Sequence, residues 1–143
     1  MKYLIDSQAL IWYVDQDHLL SAAAHAAITD PSNDLLLSMA SMWEIGIKVG
    51  LKKLTLSMPY REWMEKAIAD LGINVLPITV EYVDVQSGLP PHHRDPFERL
   101  LVAQAIVEKM PIISTDIILD RYGIARLWSD PPGATPTVID ANS

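Results

Sequence analysis

Leu35–Ser38 reads as a strand whose three leucines show no alternation, and a helical pattern from Met39 to Val49 follows without a gap. A strand half-exposed to solvent alternates polar and apolar residues. One covered on both faces does not, and such strands belong to parallel sheets with helices above and below. The same short run and helix recur along the chain. Tyr3–Ile5 precedes an apolar helix near Gln8–Val14, and Ser21 caps an alanine-rich helix, Ala22–Thr29, that Asp30-Pro31 stops.

Beyond Gly50 and a link carrying Lys52 and Lys53, residues 60–71 read as a helix closed by Gly72. Asn74–Ile78 is a strand candidate weakened by Pro77, which cannot donate to a ladder. A helix over 79–87, a loop GLPPHHR and a helix Phe97–Lys109 come next, then a strand Ile112–Thr115, a short helix 117–122 and a strand Ala125–Trp128. Alternating strands and helices predict an α/β domain with a central, mainly parallel sheet. The domain is expected over residues 1–130, with the Pro-rich stretch 131–143 as a flexible tail.

With 143 residues, half of them hydrophobic, there is material for one core. The absence of cysteine excludes disulfides and thiolate metal sites and suits a reducing cytoplasm. MKYLIDS reaches Asp6 too soon for a signal peptide or a spanning helix, so no membrane association is expected. A net charge of -7 is not the footprint of a protein that coats nucleic acid. It is compatible with an enzyme whose acids converge on a divalent ion, because the ion reverses the local field.

The acids fall where such a site would form. In open α/β sheets, ligands bind outside the carboxyl ends of the strands. Asp6 follows the first strand, Asp116 follows the strand IIST, Glu44 lies in the helix after LLLS, and Asp95 and Glu98 open the helix that leads back to IIST. Oxygen donors without thiols suit Mg²⁺ or Mn²⁺, and such an ion assists phosphodiester hydrolysis.

Each acid has an ordinary explanation as well. Asp6 and Asp116 sit where helix caps sit, and Glu44 has Lys48 four residues on, the spacing of an exposed helical ion pair. Asp95-Pro96-Phe97-Glu98 is an Asp-led capping box. Two details favour a cleft. Ser41, Glu44 and Lys48 form one polar stripe on a helix expected to be buried nearly all round, and Leu101, Val102 and Ala105 place Glu98 on the core-directed side of its helix. His92 and His93, adjacent in a loop, are poorly spaced to chelate one ion and read as surface residues or phosphate contacts. Arg94, Arg99, His92 and Lys48 are the cationic candidates for phosphate, and Ser7 and Thr115 for contacts to the acids or to an ion's waters.

Four segments in this order, LIDSQALIWYV, SMASMWEIGIKVGLKKL, LPPHHRDPFERLLVAQA and IISTDIILDRYGIARLW, resemble the PIN-domain family, in particular the VapC-like ribonuclease toxins of bacterial toxin–antitoxin pairs. The likeness spans nearly all of residues 1–128. It puts the family's four acids on Asp6, Glu44, Glu98 and Asp116 as catalytic and metal-holding residues, with Asp95 as an auxiliary ligand. It implies a three-layer α/β/α fold, Mg²⁺ or Mn²⁺, an RNA substrate, a homodimer and a cognate antitoxin that covers the site. The chain departs from the family pattern in reading Asp6-Ser7-Gln8 for Asp-Thr-His, and Asp95-Pro96-Phe97-Glu98 for Asp-Pro-Phe-Asp. The alternative function is a catalytically weak binding module of the same fold that sequesters a partner. An aspartyl-phosphate mechanism is disfavoured, since it wants an acid two positions after the first and position 8 is Gln.

Overall fold

Five apolar runs pair into one sheet in a computed structural model that describes residues 1–129. They are β1 (Lys2–Ile5), β2 (Asp34–Ser38), β3 (Asn74–Leu76), β4 (Ile112–Ile113) and β5 (Arg126–Leu127), in the spatial order β3-β2-β1-β4-β5. All four pairings are parallel; Leu4 stands between Leu36 and Ile112. The expectation of a flexible tail over 131–143 lies outside the described residues.

Alternate residues of the buried strands feed two separate cores. Ile5, Leu35, Leu37 and Ile113 join a cluster with Leu10, Ile28, Ile45, Trp63 and Met64. These come from α1 (Ser7–Val14), α2 (Ala22–Thr29), α3 (Met39–Gly50) and α4 (Tyr60–Leu71). Leu4, Leu76 and Ile112 point the other way, to Tyr82, Leu101, Val102 and Leu119 from α5 (Val80–Ser87), α6 (Pro96–Glu108) and a 3-10 helix (Ile117–Tyr122). The result is a three-layer α/β/α fold whose central sheet is covered on both faces, as the unalternating leucines require. The buried Trp63 keeps its indole N–H satisfied by Asp15 at 2.9 Å.

Local chemistry sets the ends of the elements. Ser21 accepts a hydrogen bond from the Ala24 amide, and Gly72 closes α4 with φ +61°. Several expected ends shift by a residue or two, β5 among them, which is Arg126–Leu127 rather than Ala125–Trp128. β3 stops at Leu76 because Pro77 ends its ladder; α6 stops at Glu108, with Lys109 taking the left-handed cap at φ 52°; and β4 stops at Ile113, leaving Ser114 just beyond the strand. No helix among the described residues is long and apolar enough to cross a membrane.

The sheet order reverses at β1. From there the chain proceeds to β2 and β3 on one side, and later to β4 and β5 on the other. A crevice therefore opens beyond the carboxyl ends of β1 and β4. The Asp6 amide donates to the Ile113 carbonyl at 3.1 Å, which fixes the first acid at that point.

Candidate acidic active site

Asp6 caps α1, its Oδ1 accepting from the Ala9 amide at 2.7 Å, and its side chain is buried. Burial pushes its carboxyl up to about 6; bonds from the Ser114 hydroxyl and the Ala9 amide act against this, while the charges of Asp116 and Glu44 add to it. Asp6 is thus a helix cap that also lies within electrostatic reach of Asp116 and Glu44.

Glu44 is also buried, and both its oxygens are engaged: Ser7 Oγ donates to Oε1 at 2.6 Å and Lys48 Nζ to Oε2 at 3.1 Å. The ion pair expected from the spacing exists, but only its lysine is in water. The helix that carries them is less enclosed than its sequence predicts. Met39 and Trp43 are exposed, so α3 is not buried nearly all round.

At the head of α6, Asp95 caps the helix, accepting from the Phe97 amide at 2.9 Å. Glu98, one turn in, is aimed at the crevice, and its Oε2 is shut off from solvent with no hydrogen-bond partner among the described residues. Burial, followed by the charges of Asp6, Glu44, Asp116 and Asp95, pushes its carboxyl up to about 9. Two trios of donors converge on it: Glu44, Asp95 and Glu98, and His93, Glu98 and Asp116, each with ligand atoms within 4.8 Å of one another. Asp6 belongs to neither trio, yet its charge is the foremost electrostatic influence on Glu98.

Asp116 caps the 3-10 helix through the Ile118 amide at 3.0 Å and meets His93 Nε2 at 2.8 Å. The Asp95 amide donates to His93 Nδ1 at 3.1 Å, so in the neutral ring Nε2 carries the proton and donates to Asp116. His93 therefore links the third acidic segment to the fourth. Sequence reasoning misses this role, because adjacent histidines in a loop look like surface residues; the one signal is a position two residues ahead of the Asp95 cap. It misses Ser114 too. That residue is fully buried and is bonded to Asp6 and the Asp116 amide, whereas Thr115, the residue expected to make such contacts, is exposed.

The cationic candidates divide. Arg94 is exposed and free of partners among the described residues, and His92 is exposed with its ring edge-on to Tyr122. Arg99 is instead committed to carbonyls, reaching Pro90, Gln86 and Leu89 at 3.0–3.2 Å, so it braces the loop before α6. Arg99→Ala is expected to lower stability by about 1–2 kcal/mol through those lost bonds. Thermal denaturation checks this; an unchanged melting temperature with weakened oligonucleotide binding would restore the phosphate assignment.

A cleft of about 260 Å³ leads to the acids, lined by Ser7, Gln8, Ile11, Glu44, Ile45, Lys48, Lys53, Leu54 and Glu98. A roomier hollow of about 480 Å³ between Trp12, Leu20 and His25 has no converging acids. Around Glu98 the donor set suits a divalent cation. Several carboxylates crowd one point, and a sealed oxygen there must be satisfied either by a proton or by an ion.

The PIN domain family model matches residues 3–125. Comparison with curated proteins gives no match. Among solved structures, the fold is similar to VapBC2 from Rickettsia felis bound to a DNA fragment from their promoter, with 12% identity, TM-score 0.61, and coverage of 90% of this chain and 99% of that one. It is also similar to FitAcB from Neisseria gonorrhoeae, with 12% identity, TM-score 0.55, and coverage of 88% and 96%. VapBC-1 from nontypeable Haemophilus influenzae is similar at 13% identity and TM-score 0.52, covering 89% and 97%. At such identities the likeness is one of fold.

Proposed function

The chain belongs to the PIN-domain family, and from that premise we propose that it is a metal-dependent endoribonuclease, the toxin of a toxin–antitoxin pair. The observation that carries this reading is the sealed, unpartnered Oε2 of Glu98 at the junction of two donor trios. Asp6, Glu44, Glu98 and Asp116 would hold Mg²⁺ or Mn²⁺, with Asp95 beside them. When bound, the ion supplies positive charge for the phosphoryl oxygens and lowers the pKa of water.

The surrounding side chains set up that chemistry. Ser7 and Lys48 fix the rotamer of Glu44, and His93 fixes that of Asp116. The Ser114 hydroxyl favours the ionised form of Asp6. Exposed Arg94 is placed before the α6 cap, where it would contact a phosphate of the strand. The similar solved structures bear the paired names VapBC and FitAcB, which supports a cognate antitoxin. A homodimer and a cytoplasmic setting complete the reading.

Incubating the purified chain with RNA, with and without Mg²⁺ or Mn²⁺, is the direct test. Cleavage that needs the ion supports the reading, and failure of either ion to bind at millimolar concentration overturns it. Partner binding without cleavage would leave the weaker alternative of a sequestering module. The protonated Glu98 adds a quantitative expectation. Between about pH 6 and 9 the ion must displace one proton, so its affinity should rise about tenfold per pH unit. Isothermal titration at several pH values, in buffers of different ionisation enthalpy, measures both the slope and the proton released.

A further inference from the structure

Trp43 is 63% exposed and is the one exposed aromatic residue among those described. A single exposed apolar side chain is ordinary by itself. The position of this one is what distinguishes it. Phe97 meets it edge-on, with ring centroids 5.5 Å apart and planes at 83°. Trp43 immediately precedes Glu44 on α3 and Phe97 immediately precedes Glu98 on α6, so the ring pair and two carboxylates of the trio that includes Asp95 come from the same contact between these two helices. The near-perpendicular contact braces the indole on one side and leaves most of the ring in solvent.

We propose that Trp43, braced by Phe97, is a stacking platform for an unpaired nucleobase next to the phosphate held at the acids. The proposal rests on the nuclease reading and adds to it a residue that positions the strand by holding a base beside the acids. Helical periodicity places Trp43 and Lys48 on opposite flanks of Glu44, one offering a ring and the other a cation. Stacking also answers a difficulty set by the charge. A chain of net charge -7 lacks the broad basic footprint that holds RNA through its phosphates alone, whereas base–aromatic contact needs no charge and accepts any base.

The test uses full-length protein carrying Asp6→Asn, so that the strand is not cut, and a fluorescent single-stranded RNA decamer in Mg²⁺. Adding Trp43→Ala is expected to weaken binding roughly tenfold, and Trp43→Tyr to restore most of it. Melting temperature should fall only slightly, because the ring is mostly exposed and loses one aromatic contact. A decamer with one abasic position should lose affinity for the protein that keeps Trp43 and not for the Trp43→Ala variant. Equal affinity of these two proteins for the intact decamer overturns the proposal. So does a change confined to oligomeric state or to binding of a protein partner, which would make this face a protein interface. Cleavage by the native chain is scored separately. Trp43-dependent binding without metal-dependent cleavage would refute the nuclease reading and keep the platform.

Discussion

Asp6→Asn is expected to lower metal-dependent RNA cleavage by about 1,000-fold, the several kcal/mol that an ion's charge contributes to phosphoryl chemistry. The substitution separates the two roles of the residue. Asparagine caps a helix as well as aspartate does, so the bond from the Ala9 amide survives and α1 keeps its start. What disappears is a buried negative charge beside Glu98. Stability should therefore hold or rise while activity collapses. A cleavage assay paired with thermal denaturation reads both, and activity within tenfold of the native protein would sink the assignment.

Glu98→Gln is expected to stabilise the metal-free protein at pH 8 by a few kcal/mol, roughly 5–10 °C in melting temperature. In the unfolded chain Glu98 ionises from its ordinary value of 4.5, whereas in the folded protein it keeps its proton up to about 9. Below 4.5 both states are protonated and the fold has its full stability with respect to this group. As pH rises towards 9 the unfolded state loses a proton that the folded state retains, so stability falls throughout that window. Asp6, raised from 3.8 to about 6, adds a fall of the same sign at its acidic end. The glutamine of the variant has no proton to lose and should leave only the Asp6 slope. Mg²⁺ should stabilise the native protein most at high pH and the glutamine variant little. Parallel pH slopes for the two metal-free proteins would show that Glu98 is not the strained group.

Much of the scaffold is legible in the sequence because it follows from patterns a few residues long. The unalternating Leu35–Leu37 run implies a covered parallel strand, and its residues do divide between two cores. Ser21, Gly72 and Asp95 mark the ends that they form. The acids are legible from their positions at strand ends and from the family resemblance, but their detailed partners are not. His93 reaches Asp116 across 23 positions, and Ser114 replaces Thr115 because β4 ends one residue after Ile112. Neither distance nor strand length is written in local composition. The exposure of Trp43 is hidden for the same reason. An apolar helix sequence says which residues would prefer burial, and the number of neighbours available to bury them depends on how α3 sits against the sheet and α6.

The order of the sheet has a consequence for synthesis. β1, which leads into Asp6, is made first, but its neighbour β4 is fourth in the chain, and Asp116 comes three residues after it. A nascent chain that has emerged as far as α5 holds Asp6 and Glu44 and lacks Asp95, Glu98 and Asp116. Neither donor trio exists in it. On the nuclease reading, the chain is harmless on the ribosome until its last strands arrive, and an interrupted translation product lacking β4 carries no working site.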